Sequence, residues 1–131
     1  MIFLIGLIAC EDDRKILMTE GYTANSGYYV SYDSDPSPIP VNAPFVLGID
    51  VFTDDSKSSR VSDVTVDADA EMPEHGHGMN LLPPTEAVGD GRFEADGFLF
   101  HMTGYWEIIV YVNGPDGSED IRFPVELRAA P

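Results

Sequence analysis

Apolar residues recur at every second position in four segments of this 131-residue chain, and this spacing limits its fold more than any other feature. The segments are residues 45–53, 64–70, 105–112 and 121–127. Successive side chains of an extended chain point to opposite faces, so each segment has one apolar face and is typical of a β-strand. No segment sustains the spacing of three and four residues that an amphipathic helix requires. The chain is therefore predicted to be all-β.

Turn-forming residues divide the chain into short strands. Two further strands are predicted at residues 28–32 and 92–100. The connecting segments are rich in Pro, Gly, Asp and Ser, and they are residues 33–40, 54–59, 89–91 and 113–117. Six or seven short strands in one domain predict an immunoglobulin-like antiparallel β-sandwich of about seven strands, over residues 27–131. Pro124 lacks a backbone donor, which places the last strand at a sheet edge or a bulge.

The first ten residues have the composition of a secretory signal that ends in a lipid-modified cysteine. An apolar run at residues 2–9 precedes Cys10, and it is too short to span a bilayer, which needs about 20 apolar residues. Residues 7–10 resemble the lipobox of bacterial lipoproteins. No Lys or Arg precedes the run, so the true start codon is expected upstream. We expect residues 1–10 to be a signal ending at the lipidation site Cys10, and residues 11–26 to be a flexible tether. The alternative is an apolar N-terminus that frays or packs on the domain.

The balance of charge excludes several partners. Twenty-three acidic residues against seven basic ones give a formal net charge of −16. Such a field repels nucleic acid phosphates and anionic lipid surfaces, so we expect no nucleic acid partner and membrane contact through the lipid anchor only. No Ser/His/Asp order, pair of catalytic carboxylates or phosphate-binding loop stands out, so the protein is not expected to be an enzyme.

Residues 72–79 carry the strongest chemical signal in the chain, because they hold two of its three histidines and two of its five methionines. Imidazole and thioether groups bind soft or borderline transition metals without a thiolate. His75, His77 and Met79 alternate, so in an extended chain their side chains point to one side. These three residues are candidate metal ligands. A glycine-containing surface loop without a ligand is the alternative.

His101 and Met102 are the other candidate ligands, at the expected end of the strand before Gly104. Antiparallel pairing is able to bring this strand end beside the His/Met segment. Copper ranks first as the metal, because Cu(I) accepts both thioether and imidazole ligands. Zinc ranks second, because its protein sites draw on Cys, His and carboxylate rather than Met. Met102 also fits the alternative of core packing, since methionine commonly fills gaps in β-sheet cores.

The motifs of this region resemble those of the YtkA-like family, which is similar to FixH-type periplasmic proteins. The matching residues are Met72-Pro73, Gly76-His77-Gly78-Met79, Gly91-Arg92-Phe93 and Met102-Thr103-Gly104-Tyr105-Trp106. The resemblance covers roughly residues 40–127. It implies an immunoglobulin-like sandwich outside the cytoplasm and a role in copper handling, with a copper-accepting or oxidase-assembly protein as partner. His77, Met79 and Met102 occupy motif positions, whereas His75 is an addition of this chain.

Two functional hypotheses follow from the sequence. The first is a lipid-anchored copper(I) chaperone or reservoir on the periplasmic side of a membrane in the cell envelope. The second is a non-catalytic structural or protein-interaction module, in which the His/Met motif is an element of the fold.

Overall fold

The computed structural model describes residues 14–16 and 18–128 of the chain, and within them it contains ten β-strands and no helix. The strands are β1 Arg14–Ile16, β2 Glu20–Tyr22, β3 Tyr29–Asp35, β4 Phe45–Phe52, β5 Thr65–Met72, β6 His77–Gly78, β7 Thr85–Gly89, β8 Arg92–Phe98, β9 Gly104–Gly114 and β10 Gly117–Leu127. The prediction of an all-β protein is confirmed.

The ten strands form two antiparallel sheets that pack face to face. Sheet A has the order β1-β10-β9-β5-β6, and sheet B has the order β2-β3-β4-β8-β7. Without the three shortest strands (β1, β2 and β6), sheet B has the order β3-β4-β8-β7 and sheet A has the order β10-β9-β5. Counted along the chain, these are the first, second, fifth and fourth strands in one sheet and the seventh, sixth and third in the other. This arrangement is the strand order of an immunoglobulin-like sandwich.

The hydrophobic core lies between the inward faces of the two sheets and follows the alternation seen in the sequence. In sheet A the fully buried side chains of β9 are Trp106, Ile108, Val110 and Val112. Sheet B contributes Leu47, Ile49 and Val51 from β4. The Phe100 ring stacks on the Trp106 indole with ring centroids 4.4 Å apart, which anchors the connection between β8 and β9 to the core.

The interval of residues 11–26, expected to be a flexible tether, holds two strands instead. β1 pairs with the end of β10, from Arg14 opposite Leu127 to Ile16 opposite Val125. β2 pairs with β3. Strands of three residues are too short to carry an alternating pattern, and they are fixed by backbone hydrogen bonds to longer strands. The expected signal and the lipidation site Cys10 lie outside the described residues.

Other boundaries also differ from the sequence-based expectation. β3 continues to Asp35, into the segment predicted as a proline-rich connector, because its outward aspartates stay paired with β4. β6 and β7 were not anticipated, since they are short and largely exposed. β10 pairs with β9 on one side and with β1 on the other, and the pairing with β1 ends at Val125, next to Pro124. Pro124, which has no backbone N–H to donate, therefore lies just beyond the end of β1.

Candidate metal site

The His/Met segment folds as a tight β-hairpin between β5 and β6. Met72 lies opposite His77, and Glu71 lies opposite Gly78. The backbone N–H groups of His75 and Gly76 both donate to the Met72 carbonyl oxygen at 3.1 Å. Gly76 has a φ of +68°, a left-handed conformation that glycine adopts without a steric penalty. The glycines of this motif therefore shape the hairpin that carries the histidines.

The hairpin register determines the direction of His77. Directly opposite residues of an antiparallel pair project to the same face of a sheet, and Met72 is fully buried in the core. His77 therefore lies on the inward-facing side of sheet A, at its open edge, where the side chain is exposed. Met79 follows two residues later and packs, partly buried, against the core.

The structure brings His101 next to this hairpin. β8 ends at Phe98, so His101 and Met102 lie in the connection to β9 rather than on a strand end. The ring centroids of His77 and His101 are 5.4 Å apart, with 36° between the ring planes. The rings of His75 and His77 are 5.7 Å apart, with 32° between them. We call these three imidazoles the histidine row.

The hydrogen bonds that hold the fold together make little use of the ring nitrogens of the histidine row. His101 Nδ1 is buried and has no hydrogen-bond partner among the described residues, although its ring is held edge-on against Trp106 at 5.6 Å. His77 Nδ1 has only the Gly78 carbonyl oxygen at 3.4 Å, a long contact. Buried polar atoms in folded proteins are normally paired. This nitrogen of His101 is therefore available to accept a hydrogen bond or to bind a metal ion.

Several other residues of the same motifs have structural roles that explain their presence. Trp106 Nε1 donates to the Met102 carbonyl oxygen at 3.0 Å. Gly104 has a φ of +133°, and a side chain there would come within 2.6 Å of Met72 Cε. A side chain at Gly78 would lie 2.8 Å from the Ala70 carbonyl oxygen. The Met102 side chain packs against the core. The methionine and glycine positions therefore serve the fold, whether or not a metal binds.

The side chains of the site do not form a closed metal cage. Among residues 18–128, no three His, Cys, Asp or Glu side chains converge on one point. The histidines approach one another pairwise instead, and His77 and Met79 line a shallow surface depression with Leu82. A pair of imidazoles with a thioether nearby fits Cu(I), which accepts two to four soft or borderline ligands. Zinc ranks second: it accepts His and carboxylate ligands, and Asp69 and Glu71 line the same depression, but its protein sites do not draw on methionine.

Carboxylates also lie at the site, since Asp69 and Glu71 line the same depression as His77 and Met79. Glu71 and Glu107 lie directly opposite each other on the outer face of sheet A, and Arg122 joins them at 2.6 Å and 3.1 Å. Burial raises the pKa of Tyr105, with a further contribution from its hydrogen bond to Glu107 and from the charge of Glu74. Sequence reasoning did not find this pairing, because it depends on the register between β5 and β9.

No model of a known protein family matches the chain, and no curated protein or solved structure matches it either. The resemblance to the YtkA-like family remains a prediction from the motifs. The described residues include no helix whose length and hydropathy would suit a membrane crossing.

Proposed function

We propose that this protein is an extracytoplasmic, lipid-anchored copper-binding protein that acts as a copper(I) chaperone or reservoir, with His77 at the centre of its site. The candidates to complete the ligand set are His101, whose ring lies 5.4 Å from that of His77, and Met79, which lines the same depression as His77. His75 is the exposed end of the histidine row, and Met102 is the more remote ligand candidate because its side chain packs on the core. The ion is cargo in this proposal, and no catalytic step is assigned.

One observation carries the proposal: the fold brings together imidazoles from two separate segments, while His101 Nδ1 is buried and finds no hydrogen-bond partner in the part of the chain that the structure describes. Two imidazoles that each bind one ion at about 2.0 Å have ring centroids roughly 5 to 6 Å apart, and the 5.4 Å separation of His77 and His101 lies in this range. Such a site, open on one side, suits reversible loading and release. A copper-accepting or oxidase-assembly protein on the periplasmic side of the membrane is the proposed recipient.

A second candidate function is a non-catalytic interaction module in which the motif serves the fold. The contacts of Gly104 with Met72 and of Gly78 with Ala70 favour it, because they account for the motif residues without a metal. The histidines separate the two proposals. None of the structural contacts described above needs the His77 imidazole, so its removal tests the metal site without disturbing the hairpin.

The test is an anaerobic Cu(I) titration of the full chain against a chromogenic competing chelator. The wild type is compared with the double variant His75→Ala/His77→Ala and with His101→Ala. We expect one equivalent of Cu(I) to be retained by the wild type and released by both variants. Equal retention by all three proteins would exclude the site.

The thioether is tested with a matched pair of variants. Met79→Leu keeps the volume and hydrophobicity of a partly buried side chain while removing the sulfur. Met18→Leu makes the same change at an exposed methionine that is distant in sequence from the His/Met segment. Weaker Cu(I) retention only in Met79→Leu supports a sulfur ligand, whereas identical retention in both restricts the site to histidines.

The lipid anchor has its own test. Cells that express the full chain are labelled with a palmitate analogue, alongside a Cys10→Ser variant. Label on the wild type alone is expected, and an unlabelled wild type would remove the anchor from the proposal.

A further inference from the structure

The strand β7 forms one end of sheet B and has an open side. It is the last strand in the order β2-β3-β4-β8-β7, and among the described residues it pairs only with β8. Its residues from Glu86 to Gly89 are all exposed. An unpaired strand edge presents a row of backbone donors and acceptors to any extended chain that approaches it.

Carboxylates crowd the outer face beside this edge. A shallow groove there is lined by Pro84, Glu86, Val88, Glu94 and Asp96. Glu86 and Glu94 lie directly opposite each other on neighbouring strands, an arrangement of like charges that destabilises a sheet. Arg92 lies 3.7 Å from Glu94 but makes closer contacts with two aspartates. The like-charge pair is therefore only weakly compensated within the protein.

Apolar side chains are exposed along the same stretch. Leu81 is 81% exposed, Leu82 is 63% exposed and Val88 is 53% exposed, and these are three of the five large hydrophobic residues that are exposed in the described structure. Pro83 and Pro84 follow Leu82 directly and stiffen the chain that leads to Val88, since proline fixes its own φ. A preformed apolar surface loses less conformational entropy on binding than a mobile one.

We propose that the β7 edge is a docking site for an extended segment of another protein, in which lysine or arginine alternates with apolar residues. The incoming segment adds a strand to sheet B, and its backbone pairs with β7. Its cations meet Glu86 and Glu94 on the outer face and lay their methylene stems on Val88. Its apolar residues point to the opposite face, where Ala87 is exposed. A second copy of this chain does not suit the site. It would bring another Glu86 and Glu94 to the same edge, in a protein whose net charge is −16.

The experiment uses the full chain and a soluble synthetic peptide of eight residues that alternates lysine and valine. A peptide with glutamate in place of lysine is the comparison ligand. Binding is followed by calorimetry and by backbone amide chemical shifts. We expect the lysine peptide alone to bind, with shift changes concentrated at Thr85–Gly89 and its neighbours Leu81 and Leu82.

Two charge-matched double variants separate the site from the bulk charge of the protein. Glu86→Lys/Glu94→Lys alters the edge, and Asp63→Lys/Asp116→Lys makes the same change in net charge on exposed loops elsewhere. Binding is expected to weaken by about tenfold in the edge variant and by much less in the loop variant. Thermal unfolding of both variants confirms that each is folded.

Three outcomes would overturn the proposal. The first is equal weakening in the two double variants, which would mean that bulk charge alone attracts the peptide. The second is shift changes that lie away from β7. The third is self-association of the wild type that Glu86→Lys/Glu94→Lys abolishes, measured by sedimentation, which would make a second copy the occupant.

Discussion

The Arg92 cluster on the outer face of sheet B and the histidine row at the open edge of sheet A are both polar groupings from separate strands. In the Arg92 cluster the donors and acceptors match one another. Arg92 donates to both carboxylate oxygens of Asp33, at 2.6 and 3.1 Å, and to Asp50 at 2.8 Å. Arg60 contacts Asp50 at 3.1 Å from the other side. In the histidine row, by contrast, His101 Nδ1 has no hydrogen-bond partner within residues 14–16 and 18–128.

The sequence is adapted around the Arg92 cluster. A side chain at Gly48 would overlap the guanidinium of Arg92 and the carboxylate of Asp33, so glycine lets the arginine reach across β4. The hydrogen bond to Asp33, followed by the contacts with Asp50, raises the pKa of Arg92 above its usual value. A cluster with mutually satisfied charges is fully explained by the stability of the fold. The stability of the fold does not explain the histidine row in the same way, which favours a functional role for it.

The largest effect is expected from Arg92→Met. This variant leaves Asp50, whose side chain is only 13% exposed, without one of its two cations. The free energy of unfolding should fall by about 2 to 3 kcal/mol, less than for a fully buried pair because Arg60 still reaches Asp50. Urea unfolding at constant ionic strength measures the loss, and Cu(I) retention should not change.

Arg122→Met is the matched control, because Arg122 also contacts two carboxylates at 3.1 Å or closer. The side chains of Arg122 and Glu71 are 43% and 41% exposed, so solvent screens the pair and the expected loss is about 0.5 to 1 kcal/mol. Equal losses in the two variants would show that burial does not distinguish the Arg92 cluster.

A second prediction concerns Tyr32, whose buried hydroxyl also lacks a hydrogen-bond partner among the residues that the structure describes. Burial raises its pKa to about 12. Because the unfolded chain releases this proton near pH 10, the wild type loses stability as pH rises from 10 to 12, by up to about 2 kcal/mol. Tyr32→Phe should be at least as stable at pH 7 and should lack this part of the alkaline loss. Urea unfolding at pH 7, 10 and 11 measures both, and parallel pH profiles of the two proteins would contradict the prediction.

The same contrast explains how much the sequence predicted. Alternation located four of the six long strands, because a strand with one buried face must repeat every two residues, and flanking turn residues delimited the other two. It missed β6, which has two residues, and β7, whose residues are nearly all exposed. The candidate ligands were visible as residue types, but the 5.4 Å approach of His77 to His101 depends on the path of the β8–β9 connection. That path is fixed by Phe100 stacking on Trp106, a contact that no local pattern encodes.

The third prediction separates stability from binding at His101. In His101→Phe an aromatic ring still packs against Trp106, while the unpaired buried nitrogen is gone. Without metal, we expect the free energy of unfolding to rise by up to about 1 kcal/mol. Cu(I) affinity should fall by at least about tenfold, as for other losses around a metal site. Chelator competition and thermal unfolding on the same samples test the pair of effects. A variant that is destabilised and still binds Cu(I) would make His101 a structural residue like Arg92.

The smallest effect is expected at the β7 edge, from Glu86→Lys. This change turns the like-charge pair with Glu94 into an opposite-charge pair, which should add about 0.5 kcal/mol to the free energy of unfolding. The gain should shrink as salt is raised, because both side chains are partly solvated. Urea unfolding at low and high ionic strength measures it, with Asp63→Lys as the control for net charge. A larger gain from Asp63→Lys would mean that relief of the overall negative charge, not the local pair, sets the stability of this edge. Like the histidine row and unlike the Arg92 cluster, the β7 edge holds charged groups that the fold does not compensate, namely Glu86 and Glu94. A stabilising Glu86→Lys substitution would therefore support a role of this pair in binding rather than in folding.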